Sequence, residues 1–176
     1  PGGLQIGGGI CAENAGEFLD AGASHVIVTS YVFSDGKICY NHLEKLKHEV
    51  GKGKIVLDVS CRIQDGCYYV VTDRWQKFTD TVFSKELLKE LSGYCDEFLV
   101  HAVDVEGKAS GIEEEIVRLL AGSANPATYA GGISSCPDIE KIKKIGNDRV
   151  NVTIGSALSL FGGQLDFEEV IRCIQL

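Results

Sequence analysis

Six short apolar runs alternate with amphipathic segments along almost the whole sequence. The runs are rich in β-branched residues and show no polar–apolar alternation, as expected of parallel strands that are covered on both faces. They occupy residues 4–6, 25–29, 54–59, 97–103, 127–129 and 151–154. The intervening segments place apolar residues three or four apart, and this spacing predicts helices at 13–21, 43–50, 85–91, 112–120 and 137–145. The alternation favours an α/β fold with a parallel sheet.

The length and charge of the chain limit its partners. Its 176 residues, 44% of them hydrophobic, suffice for a single domain over 1–176, and no linker interrupts them. A net charge of −8 with scattered basic residues argues against nucleic acid or an anionic membrane surface as partner. No apolar run of ~18 residues and no signal sequence is found, so we expect a soluble protein. An acidic chain can still bind phosphate through backbone N–H groups, and such a site should be glycine-rich.

Seven cysteines are spread along the sequence without any C-x-x-C pair. This spacing predicts neither a zinc site nor a redox pair, and no metal is expected. We interpret the cysteines as small buried apolar residues of a protein from a reducing compartment.

Two distant segments of the sequence repeat each other. Each reads strand, Gly-Gly-Ile, helix, strand and a small hydroxyl residue, first from Ile6 to Ser30 and again from Tyr129 to Ser156. Glycines after a strand let the backbone approach a phosphate closely, and a helix starting at the serine would point N–H groups at it. The predicted anion-binding residues are Gly8, Gly9, Ser30, Gly131, Gly132, Gly155 and Ser156. The alternative for each Gly-Gly pair is an ordinary turn without a ligand. Two working sites imply a ligand with two phosphates, whereas a duplicated scaffold could use only one of its two sites.

Five motifs, taken in order, carry a resemblance to a known family. They are Leu4-Gln5-Ile6-Gly7-Gly8-Gly9-Ile10, Leu57-Asp58-Val59-Ser60-Cys61-Arg62, Thr72-Asp73-Arg74-Trp75-Gln76-Lys77-Phe78, Val100-His101-Ala102-Val103-Asp104-Val105-Glu106-Gly107 and Tyr129-Ala130-Gly131-Gly132-Ile133. Over nearly the whole chain they resemble the phosphoribosylformimino-aminoimidazole-carboxamide ribotide isomerases of histidine biosynthesis, in their eukaryotic, plant-like form. The resemblance implies a TIM barrel built from two half-barrels. It also implies an Amadori-type aldose–ketose isomerisation of a small substrate with a phosphate at each end, without metal or organic cofactor.

The same resemblance aligns the six apolar runs with barrel strands three to eight. Strands one and two then have no counterpart, and a chain beginning at Pro1 looks like a fragment or a processed protein. The family's general base is an Asp after strand one, so we expect the activity of these 176 residues alone to be impaired. Open barrel edges would also allow self-association.

Three residues are candidates for catalysis. Asp58 ends an apolar run, where barrel active sites lie, and the resemblance makes it the general acid that helps to open the ribose ring; a loop-capping Asp or an ion pair with Arg62 is the alternative. The resemblance implies a Thr that assists the acid at the end of the next strand in many family members. A gapless comparison puts His101 at that position, and a one-residue shift puts Ala102 there. A histidine with a purely structural role is the alternative for His101. Asp104, at the end of the same strand, is the third candidate.

The resemblance also suggests that Trp75, the single tryptophan, closes over the substrate and stacks on its ring; packing at the barrel rim is the alternative. Arg62 and Arg74 are candidates for balancing phosphate charge, or are solvated surface residues. Two other functions stay open: a non-catalytic phosphate-binding module and the related cyclase of imidazole glycerol phosphate synthase. The cytoplasm or the plastid stroma is the expected compartment.

Overall fold

The computed structural model describes residues 2–107 and 111–175, which form eleven strands and six α-helices. The strands are β1 Gln5–Gly7, β2 His25–Val28, β3 Phe33–Ser34, β4 Lys37–Ile38, β5 Ile55–Asp58, β6 Cys61–Gln64, β7 Cys67–Thr72, β8 Lys77–Val82, β9 Glu97–His101, β10 Ala127–Ala130 and β11 Val150–Thr153. The helices are α1 Ala15–Asp20, α2 Tyr40–Val50, α3 Lys85–Leu91, α4 Glu114–Ala121, α5 Cys136–Gly146 and α6 Phe167–Gln175.

The six predicted strands form one parallel sheet in the order β1-β2-β5-β9-β10-β11. Every neighbouring pair is parallel, with β5 between β2 and β9 in the middle of the sheet. The prediction of six parallel strands in sequential order is therefore confirmed, and the arrangement is that of a partial (β/α) barrel. Because parallel strands end on one side, residues that follow each strand gather at one edge of the sheet.

A side-chain contact across the concave face shows how strongly this sheet curls. The amide of Gln5 in β1 donates a 2.7 Å hydrogen bond to Glu97 in β9, although β2 and β5 lie between those strands. Such a contact requires the sheet to bend towards a barrel.

Helices cover the outer face of the sheet and bury their apolar stripes against it. Leu43 and Leu46 of α2 and Ile139 and Ile142 of α5 are almost fully buried. Their spacing of three residues produces the helical pattern seen in the sequence.

An antiparallel extension, β6 to β8, was not predicted. It leaves the barrel directly after Ser60, and Cys61 pairs with Ala102 where it begins. The outer strands β6 and β8 are half-exposed and mix polar with apolar residues. The central strand β7 carries an apolar run that ends buried at Val70 and Val71, and the sequence prediction overlooked it. Asp65 and Gly66 form the tight β6–β7 turn, and both have positive φ. This Asp-Gly pair is a typical hairpin signal that the sequence offered.

The predicted helices are confirmed with small shifts at their ends, and α3 has the predicted bounds. Helix α6 was missed. Within the part of the chain described, no helix is long and apolar enough to cross a membrane.

The interpretation of the cysteines was wrong for several of them. Cys136 and Cys173 form a disulfide between α5 and α6, with their Cα atoms 5.9 Å apart, and Cys67 is exposed. Only Cys61 and Cys95 are buried and free among the described residues. Because Cys136 and Cys173 lie 37 positions apart in the sequence, local spacing could not reveal the pair. A disulfide also fits poorly with the expected reducing compartment.

Candidate active site

The predicted catalytic side chains meet where β5 and β9 end. Asp58 is the last residue of β5 and His101 the last of β9, and these two strands are neighbours in the sheet. The register of the two strands thus brings residues 43 positions apart in sequence (101 − 58) to the same edge of the sheet.

A buried hydroxyl joins Asp58 to His101. Ser60 is 0% exposed, and its Oγ contacts Asp58 Oδ1 closely. The same Oγ lies 3.1 Å from His101 Nδ1 and accepts a 3.0 Å hydrogen bond from the His101 backbone N–H. The Ser60 backbone N–H also donates to Asp58 Oδ1, at 2.9 Å. We call Asp58, Ser60 and His101 the central cluster; Ser60 was not predicted, because a serine after a strand resembles any loop residue.

Trp75 covers the central cluster from the β7–β8 turn. Its indole centroid lies 5.1 Å from that of the His101 imidazole. The turn holds Asp73, Arg74 and Trp75 at φ of 52°, 57° and 66°, a left-handed conformation that is unfavourable for residues other than glycine. Backbone strain of this kind concentrates at functional sites, and here it places the indole over the cluster.

Arg62 and Asp104 pair with each other. Arg62 Nε lies 3.1 Å from Asp104 Oδ1, and the backbone N–H of Ile63 donates to Asp104 Oδ2 at 2.7 Å. The Arg62 guanidinium also lies over the Phe78 ring, 5.4 Å from its centroid. The pair therefore links the extension to the end of β9, and its roles in phosphate binding and catalysis stay predictions. Arg74 is exposed in the turn beside Trp75.

The first pocket, of about 530 Å³, lies on one side of the central cluster. Its lining includes Gly8, Gly9, Thr29, Ser30, Asp58 and Trp75. Ser30 Oγ lies 3.5 Å from the Asp73 backbone nitrogen, so this pocket reaches the Trp75 turn.

The second pocket, of about 380 Å³, lies on the other side. Its lining includes His101, Gly131, Gly132, Ser134, Gly155 and Ser156. Each predicted glycine-rich site thus lines one cavity, and the central cluster contributes Asp58 to the first and His101 to the second.

The backbone confirms that the two Gly-Gly turns are equivalent. Gly8 and Gly9 have φ of 106° and 67°, and Gly131 and Gly132 have φ of 114° and 70°. All four lie in the region that glycine alone adopts freely. The sequence repeat is therefore also a repeat of conformation.

The expectation that a helix starts at each serine was wrong in part. Ser30 begins a single 3-10 turn, Ser30–Val32, and Ser156 lies in a turn ahead of a second one, Ser159–Phe161. The chain turns back after Ser156 to bridge Leu158 with Leu165, which prevents a longer helix there.

Asp138 shapes the rim of the second pocket. Its Oδ2 accepts from the Ser134 backbone N–H at 2.9 Å and from both the Ser134 and Ser135 hydroxyls. Burial pushes its pKa upward, but these hydrogen bonds outweigh burial and leave the pKa below its ordinary value. The ionised carboxylate thus holds the segment between Gly132 and α5.

Cys61 lies next to the central cluster without being a nucleophile. Burial raises the pKa of its thiol far above the ordinary value, and the nearby carboxylates of Asp104 and Asp58 raise it further. The thiol stays protonated and unreactive. No group of three or more His, Cys, Asp or Glu side chains that could hold a metal ion occurs within residues 2–107 and 111–175.

Comparison with known proteins matches residues 2–166 to the family described as histidine biosynthesis protein. A chloroplastic isomerase of a bis-phosphoribosyl imidazole-4-carboxamide from Medicago truncatula is 52% identical over 172 residues, which is 97% of this chain and 55% of that protein. Isomerases of the same name from Yarrowia lipolytica and Saccharomyces cerevisiae are 47% and 41% identical, over 91% and 96% of this chain and 64% and 67% of their own lengths. The chain thus spans little more than half to two thirds of the curated relatives it matches. With this match over nearly all of its length, the chain belongs to the histidine biosynthesis protein family.

Proposed function

We propose that this chain forms the substrate-binding and acid-bearing part of an aldose–ketose isomerase of histidine biosynthesis. Its substrate would be phosphoribosylformimino-aminoimidazole-carboxamide ribotide, and its product the phosphoribulosyl isomer. The observation that carries the proposal is the central cluster, which stands between two equivalent glycine-rich pockets. The names of the three relatives describe isomerases whose substrate carries two phosphoribosyl groups.

The two pockets suit the two ends of such a substrate. Backbone N–H groups at glycine turns bind phosphate without the help of a basic side chain, which suits a chain with a net charge of −8. The Gly8–Gly9 turn with Ser30 would hold one phosphate, and the Gly131–Gly132 turn with Gly155 and Ser156 the other. The reacting ribose would then lie over the central cluster.

Ring opening of the aminoaldose is the step assigned to this cluster. The C1–O4 bond of the ribose breaks while a proton passes to the ring oxygen, and Asp58 is the donor in the proposal. A base then removes the proton from C2, and reprotonation completes a rearrangement with no net gain or loss of atoms. The resemblance places that base after barrel strand one, which has no counterpart in these 176 residues.

His101 and Trp75 serve the same substrate in this proposal. The imidazole of His101, which lines the second pocket, would offer a hydrogen bond at the reacting sugar. The indole of Trp75, held over the cluster, would stack on the imidazole carboxamide and exclude water.

The Medicago truncatula relative is named chloroplastic, and we place this protein in the plastid stroma or the cytoplasm. The Cys136–Cys173 disulfide would be an exception to the reduced thiols usual in these compartments. Self-association through the open sheet edges is also proposed, since Leu4 and Ile6 at the β1 edge are exposed.

Calorimetry with the diphosphorylated substrate tests the binding part. The proposal expects one substrate per chain, and it expects inorganic phosphate at high concentration to compete for both pockets. Two independent substrate molecules per chain, or binding that phosphate does not affect, would contradict the bridging arrangement.

A further inference from the structure

We infer that Ser60 is a positioning residue that fixes the tautomer of His101, with the proton on Nδ1 and the free lone pair on Nε2 towards the substrate. The catalytic consequence rests on the proposed function, whereas the tautomer itself does not.

The hydrogen bonds of Ser60 carry the argument. A hydroxyl has one hydrogen to donate and two lone pairs to accept with. Ser60 Oγ has three neighbours: Asp58 Oδ1, the His101 backbone nitrogen and His101 Nδ1. The backbone N–H can only donate, so it occupies one lone pair.

The oxygen Oδ1 of Asp58 is an acceptor whatever the protonation state of the carboxyl group. It already accepts from the Ser60 backbone N–H at 2.9 Å, so a proton on Asp58 resides on Oδ2. The single Ser60 hydrogen therefore points to Oδ1.

Only one lone pair of Ser60 is then left for the imidazole. It can accept a hydrogen from His101 Nδ1 but has none to give, so Nδ1 must carry the proton. In the neutral ring, Nε2 is then unprotonated.

The surroundings of the His101 ring determine which of its nitrogens faces the interior and which is left for a substrate. Ser60 is fully buried, so Nδ1 faces the interior. The half-buried imidazole lines the second pocket and contacts Trp75. Nε2, on the far side of the ring from Nδ1, is the nitrogen that is left for a substrate.

Ser60 thus holds one polar side-chain atom of each neighbour, and the other polar atom of each side chain stays available for the substrate. It holds Asp58 through Oδ1 and His101 through Nδ1, and within the described part of the chain no side chain or backbone group is hydrogen-bonded to Asp58 Oδ2. Oδ2 and Nε2 are therefore the pair presented to the sugar.

Long-range 1H–15N NMR spectra of the imidazole ring test the assignment without substrate. His101→Gln identifies the resonances of His101. The unsubstituted chain should show a protonated Nδ1 and an unprotonated Nε2 at a pH where the ring is neutral. A protonated Nε2 in this chain would overturn the inference by itself, without any Ser60 variant.

Substitution of Ser60 sharpens the test. Ser60→Ala should shift the population towards the Nε2-protonated tautomer, which free histidine prefers, and Ser60→Thr should restore the original tautomer. Ser123→Ala is the matched control, because Ser123 is also buried but remote from the cluster. An unchanged tautomer in a folded Ser60→Ala variant would contradict the inference.

Kinetics separate this inference from the proposed function. In an active isomerase, Ser60→Ala should lower kcat about tenfold or more with little change in KM and should alter the pH profile, and Ser60→Thr should recover much of the loss. If the tautomer is fixed but the chain joined to barrel strands one and two with their Asp shows no isomerase activity, the proposed function alone is refuted. Activity combined with a Ser60-independent tautomer would refute the positioning role alone.

Discussion

The indole of Trp75 lies against the imidazole of His101, with ring centroids 5.1 Å apart and 44° between the ring planes. The two residues belong to different sheets, since Trp75 is in the β7–β8 turn of the extension and His101 ends a barrel strand. Their contact brings the extension over the central cluster, so the extension forms part of the candidate site.

Removal of the indole should weaken substrate binding. Trp75→Ala removes the stacking surface, and we expect the substrate Kd in calorimetry to rise about tenfold, equivalent to ~1.4 kcal/mol. Gln76→Ala changes an exposed neighbour in the same turn and serves as control. Equal losses in both variants would mean that the turn, rather than the indole, supports binding.

Gly155 offers a clean test of the second pocket. A Cβ at Gly155 would meet no atom within 4 Å, and its φ is outside the left-handed region, so Gly155→Val should fold normally and fill the pocket. We expect inorganic phosphate affinity at this pocket to fall by about tenfold or more, with an unchanged Tm. Gly53→Val, equally open and remote from the pocket, is the control. Unchanged phosphate binding in Gly155→Val would count against the site.

Gly132→Val is not an equivalent test of the second pocket, although Gly132 also lines it. A Cβ at Gly132 would lie 2.0 Å from the Gly111 carbonyl oxygen, and φ is +70°. This substitution should therefore lower stability before it reports on binding.

The barrel sheet could be predicted because apolar, β-branched residues recur in its strands, and parallel order then brought Asp58 and His101 to one edge. The expectation that these strands are covered on both faces was wrong for β1, which is exposed, and for β2 and β9, whose burial alternates along the strand. The extension escaped prediction because half-exposed strands such as Lys77–Val82 carry no such signal. Ser60 was missed because its role depends on a strand 41 residues away (101 − 60). A single sequence does not reveal such a long-range contact.

The Cys136–Cys173 disulfide should contribute measurably to stability. It closes a loop with a sequence separation of 37, so Cys173→Ser should lower the free energy of unfolding by about 2–4 kcal/mol. Denaturant unfolding with and without a dithiol reductant measures this, and the exposed, free Cys67→Ser variant is the control. Identical unfolding midpoints in the oxidised and reduced chains would show that the disulfide does not stabilise the packing of α6 against α5.

The lowered pKa of Asp138 should make the stability difference between the unsubstituted protein and Asp138→Asn depend on pH. Its pKa is lowered in the folded chain, so its contribution is fully present above the unfolded value of about 3.9 and is lost as the pH falls through the folded value. Asp138→Asn should therefore cost roughly 1 kcal/mol at pH 7, after allowance for solvent screening, and progressively less below pH 4.

Denaturant unfolding of both proteins from pH 7 to pH 3 measures the Asp138 effect. Glu140→Gln, at an exposed position of the same helix, should show much less of it. A stability difference that does not change with pH would argue against an ionised Asp138 as the clamp on the Ser134–Ser135 segment.

Asp58 is the residue on which the proposed ring opening depends most directly. The decisive measurement is the rate of aminoketose formation by this chain joined to an N-terminal segment that carries barrel strands one and two with their Asp. Asp58→Asn keeps the shape of the side chain but removes the proton donor, and it should lower kcat by about 10²–10⁴. Asp65→Asn, in the exposed β6–β7 turn, should leave kcat unchanged, and the 176 residues alone should bind substrate with little or no turnover. An Asp58→Asn rate close to that of the unsubstituted protein would contradict the account. So would full turnover by the 176 residues alone, which would point to another carboxylate, Asp104 first, as the base.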